Sequence, residues 1–480
     1  MAVYVYLWFD IEDYITKESD GLILEAGRIL QKYKIPVTCK VVAQKVRALQ
    51  AHGRRDVIAA ISRYDVGYHL DTHSRHPTLY EYLANENVID GAADFRARES
   101  EGLRFVRDVF KRNPSCFGHP GSAWVPHVYP ALKQMGIPLY LDETAILNLN
   151  NAPYWYCGVL NLNGANKNFI LFDRSFEDPE GIHRLKARFK RIHDGLKNEG
   201  GFVSILFHLH TAINKKFWDE VNFGSGKNRD AADYVRPPAQ PRRITDRAWK
   251  DFDEFIGYVS SFEDVQFITA RDASRMLRRP DIVEIHREEL RNLAESSRAR
   301  IDYVQVRDYF LSPAQIFYAV TSALKEYKNS GRVPARLIVR EYLGPMKPWS
   351  SKTTSRMGLT AGQLLRACER AADFIDSKGF MPDTIELAAG AQLSPADFLS
   401  TASSALVRLL RTGSMSHSVT ISKANFMGTR RVHADRFRRA CEWAVLPPNF
   451  SAPRILEQIK LQTWTLVPAG APKALSRRTT

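Results

Sequence analysis

Cysteine is scarce. Five residues (Cys39, Cys116, Cys157, Cys368, Cys441) are scattered over 480, and no pair has the C-x-x-C spacing. That pattern excludes a disulfide framework and a cysteine-rich zinc module, and it fits reduced thiols in a cytosol. No stretch reaches the roughly 20 apolar residues that a membrane-spanning helix requires. Only Met1 precedes the first apolar run, which ends in Asp10-Ile11-Glu12-Asp13. Without a basic leader before it, this run reads as a first β-strand rather than an export signal, and the expected location is cytoplasmic. Helix-turn-helix, zinc-finger and aromatic RNA-binding motifs are missing, so the sequence pI of about 9.5 does not by itself point to nucleic acid.

Acidic charge is short in one part of the chain only. Residues 285–480 hold 29 Lys and Arg against 16 Asp and Glu, so +13 of the net +15 sits there. A basic part beside a nearly neutral one fits an anionic polymer partner for the former: an acidic glycan, a teichoic-type polymer or nucleic acid. With 44% hydrophobic and 25% charged residues the balance is globular, and the length predicts two or three domains.

Over residues 1–280 short apolar strands alternate with amphipathic helical patterns. Strands are expected at 3–9, 36–42, 65–69, 116–118, 138–141, 169–172, 202–208 and 265–269, and helices at 22–34, 54–63, 94–111, 182–197 and 245–260. Such alternation predicts a parallel sheet forming a closed or nearly closed barrel of seven or eight β/α units. Chemistry on such a fold sits at the carboxyl ends of the strands. Asp10, His69, His119, Asp142 and His208 all fall there.

The densest cluster of chemistry is Tyr68-His69-Leu70-Asp71-Thr72-His73-Ser74-Arg75-His76-Pro77. Spacings of four and three residues can aim two imidazoles at one point, and the acids ending the first strand can supply a carboxylate. The expected centre holds one divalent metal with open positions, zinc first and cobalt, nickel or manganese as alternatives. Two of His69, His73 and His76 can serve as its imidazole ligands, and an acid of Asp10-Ile11-Glu12-Asp13 as its carboxylate. His76, His119 and Trp124 are candidate substrate contacts, with Trp155 and Trp218 as further aromatic surfaces and His210 as an alternative acid. Phe223 to Arg243 reads as a long loop at the rim, and Asp281 to Arg300 as a charged helical linker.

Beyond it lies an internal repeat. Copies open at Leu311-Ser312-Pro313, Leu359-Thr360-Ala361 and Leu393-Ser394-Pro395, with Gly331, Gly379 and Gly413 at a common offset and a short apolar pair after each. Ser or Thr caps a helix, Gly ends it, and an extended stretch follows. A degenerate fourth copy is expected near Val432. Units of this kind bury their apolar faces only against one another.

Residues 1 to about 280 resemble the polysaccharide deacetylase (NodB-homology) superfamily, carbohydrate esterase family 4. Phe9-Asp10-Ile11-Glu12-Asp13, His69-Leu70-Asp71-Thr72-His73, Phe117-Gly118-His119-Pro120-Gly121, Tyr140-Leu141-Asp142 and Leu206-Phe207-His208 are similar to its five motifs. The resemblance implies a NodB-like (β/α)7–8 barrel over 1–280. A linker at 281–301 and a mainly α-helical repeat module at 302–480 are expected to follow, the repeats being weakly similar to pseudomurein-binding repeats. It implies a metal-dependent amide hydrolase acting on an N-acetylated amino sugar, with His69 and His73 as imidazole ligands, either Glu12 or Asp13 as carboxylate ligand, Asp10 as general base and His208 as the acid that protonates the leaving amine, and Asp142 is expected to assist His208. Where the family has Arg-x-Pro this chain has His119-Pro120, so the arginine that steadies the base is missing. The alternatives are a hydrolase of non-sugar amides or cyclic imides, or a glycan-binding protein without catalysis.

Overall fold

The computed structural model describes residues 1–142, 146–163, 167–349, 358–387 and 391–470. Strand β1 (Val3–Ile11) is central and almost wholly buried, as its unbroken apolar run demands of a strand covered on both faces. Around it lie β2 (Thr38–Val41), β3 (Asp65–Tyr68), β7 (Phe169–Leu171) and β8 (Gly201–Phe207), in the order β3-β2-β1-β8-β7 and all parallel, while β9 (Val265–Phe267) pairs with the start of β1. Single bridges from Tyr68 to Phe117 and from Phe117 to Tyr140 carry the sheet on to β4 (Leu139–Asp142). From there β6 (Val159–Asn163) and β5 (Tyr154–Tyr156) follow, and then Val467–Pro468. Among the described residues no ladder joins β6 to β7, so they do not show the closure of the expected closed or nearly closed barrel.

All eight expected strands are present in substance, with 116–118 reduced to the two bridges of Phe117. Strands β5 and β6 were not anticipated, nor were the helices Ala43–Ala51 and Val128–Gln134. Carboxyl ends of β1, β2, β3, β4 and β8 gather at one side. Register sets Asp10 opposite Lys40, and Phe9 opposite both Cys39 and Phe207.

The three repeats fold alike. Helices Pro313–Ser330, Ala361–Lys378 and Pro395–Thr412 are each 18 residues long. Ser312, Thr360 and Ser394 accept backbone N–H groups at their starts, and Gly331, Gly379 and Gly413 end them in the left-handed region that favours glycine. Their apolar faces form a second core.

Three expected boundaries move. Residues 281–301 are no linker: Ile282–His286 pairs antiparallel with Arg336–Arg340, and Val283, Ile285, Leu290 and Leu293 belong to the second core. The segment near Val432 is no fourth repeat, since Ala434–Ala440 is a 7-residue helix with no Ser or Thr side-chain cap. Phe437, Ala440, Cys441, Leu446, Ile455, Ile459 and Leu466 are instead buried in the first core, beside the sheet. The chain therefore leaves the first unit, builds the second, and returns. No described helix is long and apolar enough to cross a membrane.

Candidate metal and catalytic site

His69 and His73 occupy a loop, not a helical turn. Leu70 and His73 take positive φ, 69° and 60°, which bends the chain so that both rings face Glu12. Glu12 Oε2 lies 3.3 Å from His69 Nε2 and 3.0 Å from His73 Nε2. The three ligand-capable atoms lie within 4.8 Å of one another. Each ring is oriented from behind: His69 Nδ1 meets the Gly118 carbonyl at 3.0 Å, and His73 Nδ1 meets Ser74 Oγ at 2.6 Å. Ser74 in turn donates to Asp219 at 2.8 Å. A ring that donates from Nδ1 presents a bare Nε2 inward, which is what a metal ligand requires. Glu12 is oriented likewise, its Oε1 meeting His210 Nε2 at 3.0 Å and Trp218 Nε1 at 3.3 Å. The donor set fits a divalent cation.

Asp13 is not part of it. Its Oδ1 accepts the backbone N–H groups of Ile15 and Thr16, and Oδ2 accepts from Asn214. It caps its own turn, so the carboxylate of the cluster is Glu12. A second trio, Asp10, Glu12 and His208, is also close enough to bracket an ion. Asp10 is however already paired with a buried ammonium, which opposes a cation there.

That ammonium is Lys40, fully buried on β2. Its Nζ lies 3.1 Å from both Asp10 Oδ1 and Asp142 Oδ2, and 4.2 Å from the Trp8 ring centroid. Gly118 leaves room for it, because a Cβ there would sit 2.2 Å from Nζ. Burial works against the Lys40 charge, but the Asp10 and Asp142 carboxylates outweigh this and raise its pKa. For Asp10 burial works upward, yet Lys40, His69 and His208 together hold the carboxyl below its ordinary value.

His208 follows β8 and faces Asp10, with Nε2 3.4 Å from Oδ2. Its partner is Asp173, not Asp142 as expected: Asp173 accepts the His208 backbone N–H at 2.8 Å and meets Nδ1 at 2.6 Å. Burial lowers the pKa of His208, but Asp173 and then Asp10 raise it well above the ordinary value. Asp142 instead joins Lys40 and lies 3.2 Å from His119 Nδ1. Burial lowers the His119 pKa to about 4, so the ring is neutral at neutral pH. Its buried Nε2 has no hydrogen-bond partner among the described residues, and His119 lines the wall of the candidate cavity.

Asp10, Glu12, His69, His73, His119, Asp142 and His208 line one cavity of about 330 Å³, with Asp173, Arg174, Phe217 and Trp443. Other expected contacts lie elsewhere. His76 has Nδ1 2.6 Å from Glu81 and Nε2 2.8 Å from the Phe223 carbonyl, so both nitrogens serve structure. Trp124 is fully buried and donates to Tyr129. Trp155 packs in a separate cluster with Tyr6 and Trp8. His210 and Trp218 brace Glu12, which leaves His208 as the acid candidate beside Asp10.

Sequence reasoning passed over Lys40, Asp173 and Trp443. A charge inside the apolar run Val37-Thr38-Cys39-Lys40-Val41-Val42 is itself a signal, since a buried lysine needs a counter-charge. Asp173 lies two residues beyond the carboxyl end of β7, on the side of the sheet where Asp10 and His208 also lie. For Trp443 no local signal exists.

No protein-family model matches the chain, and no curated protein matches it. Solved structures that it resembles include an allantoinase (Puue), at 15% identity over 57% of this chain and 89% of that one, TM-score 0.39. A putative polysaccharide deacetylase from Mycobacterium smegmatis is similar at 16% identity over 55% and 86%, TM-score 0.34. A family 4 acetyl xylan esterase from Clostridium thermocellum, solved with a cobalt ion, shows 16% identity over 58% and 93%, TM-score 0.30.

Proposed function

We propose that the chain is a metal-dependent amide hydrolase, acting first on N-acetylated amino sugars. The observation that carries this reading is the arrangement of Asp10. It sits between a buried cation and His208, in the same cavity as the Glu12–His69–His73 cluster.

A divalent cation held by Glu12, His69 and His73, zinc in first place, would polarise the amide carbonyl and make a bound water more acidic. Asp10, kept ionised by Lys40, accepts the proton of the attacking water. His208, held protonated by Asp173, donates from Nε2 to the amine nitrogen as it leaves. Lys40 and Asp173 touch no reacting atom; each fixes the charge and direction of the group that does. The Glu12–His69–His73 cluster lining the same cavity as Asp10 and His208 weighs against the purely binding alternative. Non-sugar amides and cyclic imides suit the same machinery. The basic stretch 285–480 supports a further proposal, contact with an anionic cell-wall polymer.

The test is a screen of acetylated amino sugars, wall fragments and cyclic imides for amide cleavage, with and without added zinc, cobalt or manganese. Failure to cleave any of them with every metal would sink the reading. Metal content is a separate check: close to one ion per chain is expected, collapsing in His69→Ala and His73→Ala but not in Asp13→Asn. Equal loss in the Asp13 variant would return that residue to the ligand set.

Asp173 has its own signature. Its carboxylate stabilises the charged His208 ring, so Asp173→Asn lowers the pKa of the acid. Because the acid must be protonated to act, the alkaline limb of the pH–rate profile should move to lower pH in that variant. A limb that stays in place would remove Asp173 from this role.

A further inference from the structure

The returning segment of the chain reaches the catalytic cavity. After the helix Ala434–Ala440 the backbone turns, Trp443 N–H donating to the Ala440 carbonyl at 3.3 Å. The next two carbonyls, of Ala444 and Val445, accept from Ser225 and Gly226 at 2.9 Å each. This ties the segment to the loop after the helix Trp218–Phe223. Val445 is buried against that helix, in a cluster with Trp218 and Phe223. Trp218 is the residue that donates to Glu12. The segment is therefore held rigidly behind the metal cluster.

Trp443 itself is partly exposed, and its indole lies on Gly121. A Cβ at Gly121 would come within 2.2 Å of the ring, and Gly121 has φ +50°, so both space and backbone call for glycine. Trp443 lines the 330 Å³ cavity together with Asp10, His208 and Phe217. It also lines a neighbouring cleft of about 820 Å³, with Phe437 and Phe450. The indole thus stands at the border between the reacting groups and a larger cleft. Phe217 is the other aromatic wall of the cavity, its ring 5.3 Å from that of His208. Polar and charged groups make up much of the remaining wall.

We infer that Trp443 is a substrate-binding residue, delivered from outside the barrel, which stacks against the ring that carries the scissile amide. The inference rests on the hydrolase reading above and names the shape of its substrate: a cyclic molecule with one apolar face and an amide at its edge or within it. An indole offers a large flat apolar surface at little entropic loss, suited to the C–H face of a sugar ring or to a planar imide ring. An acyclic amide gains nothing from it.

The test uses the full-length zinc-loaded chain with three probes: N-acetylglucosamine, hydantoin as a cyclic imide, and acetamide as an acyclic control. In Trp443→Ala, KM for the ring that is cleaved should rise by about tenfold, with kcat changed far less. Turnover of acetamide should not change, and Trp443→Phe should recover most of the loss. Gly121→Ala pushes the indole from its other side and should raise the same KM, but add little in the Trp443→Ala background. Metal content and thermal midpoint measured on each variant separate this effect from misfolding. Quenching of tryptophan fluorescence by the bound ring, weakened in Trp443→Phe, gives a readout that needs no hydrolysis. Rings that bind and quench without being cleaved would defeat the hydrolase reading and leave Trp443 in place. An unchanged KM in Trp443→Ala, an equal loss with acetamide, or a wild-type chain that binds neither ring would each overturn the inference.

Discussion

Lys40→Met should destabilise the protein by about 3–5 kcal/mol, the range found when one partner of a buried ion pair is removed. Two carboxylates, Asp10 and Asp142, face the Lys40 ammonium at 3.1 Å, and the lysine is fully buried. Methionine fills much of the same volume, so the loss reports the stranded charges rather than a cavity. In the parent protein Asp10 has a folded pKa below its unfolded one. Its contribution is therefore present above the unfolded value and lost as pH falls through the folded value. In the variant Asp10 loses the first of the charges that oppose its burial, so its pKa rises and less stability should be lost as pH falls towards the carboxylate range. Urea unfolding at several pH values measures both. Asp142→Asn added to Lys40→Met should restore part of the loss by removing one stranded charge. A loss below 1 kcal/mol, or one that the second substitution does not relieve, would show that the triad is not the electrostatic unit its geometry describes.

Asp10→Asn should lower hydrolysis by about 10²–10⁴-fold or more, the range for removal of a general base. The amide is close in shape to the carboxylate, cannot accept the proton, and leaves Glu12, His69 and His73 in place. Metal content should therefore stay near that of the parent protein. Steady-state rates and metal analysis on the same sample decide the matter. Full activity in Asp10→Asn would end its assignment as base, and loss of the metal together with the activity would make Asp10 a ligand. The parallel substitution His208→Ala should lower kcat more than it raises KM, because proton donation occurs only in the transition state.

How much of this was legible beforehand differs from residue to residue. The central strands were, because β1 and β8 are mainly apolar runs, β8 interrupted by Ser204, with a charged or titratable residue at or next to their ends. So were the three repeat helices, whose caps and glycines recur at fixed offsets. Strands β5 and β6 were not: Tyr154–Tyr156 is too short for a pattern, and Val159–Asn163 alternates with asparagine. The choice between Glu12 and Asp13 turned on a hydrogen bond. An Asp that accepts the N–H groups two and three residues onward is spent on its own turn, and neighbours in sequence do not reveal which of two acids does so. Asp142 and Asp173 changed places for a similar reason. Both end strands on the same side of the sheet, and only the packing of β7 beside β8 brings Asp173 to His208. Trp443 lies 433 residues from Asp10 in sequence, and no local pattern spans such a distance.

The return of residues 437–466 to the first core sets an order of events at the ribosome. When β9 has emerged, roughly 200 residues still separate it from Leu466, about 10–40 s of synthesis at typical elongation rates. Through that interval the nascent sheet lacks part of its apolar cover and the wall that Trp443 provides. Strand-rich intermediates with open apolar surface are substrates for chaperones and proteases. Premature termination anywhere in the repeats should therefore yield a polypeptide that is degraded rather than a free-standing first unit, and the segment 437–466, made after the repeats, becomes the checkpoint for completing the wall of the candidate site.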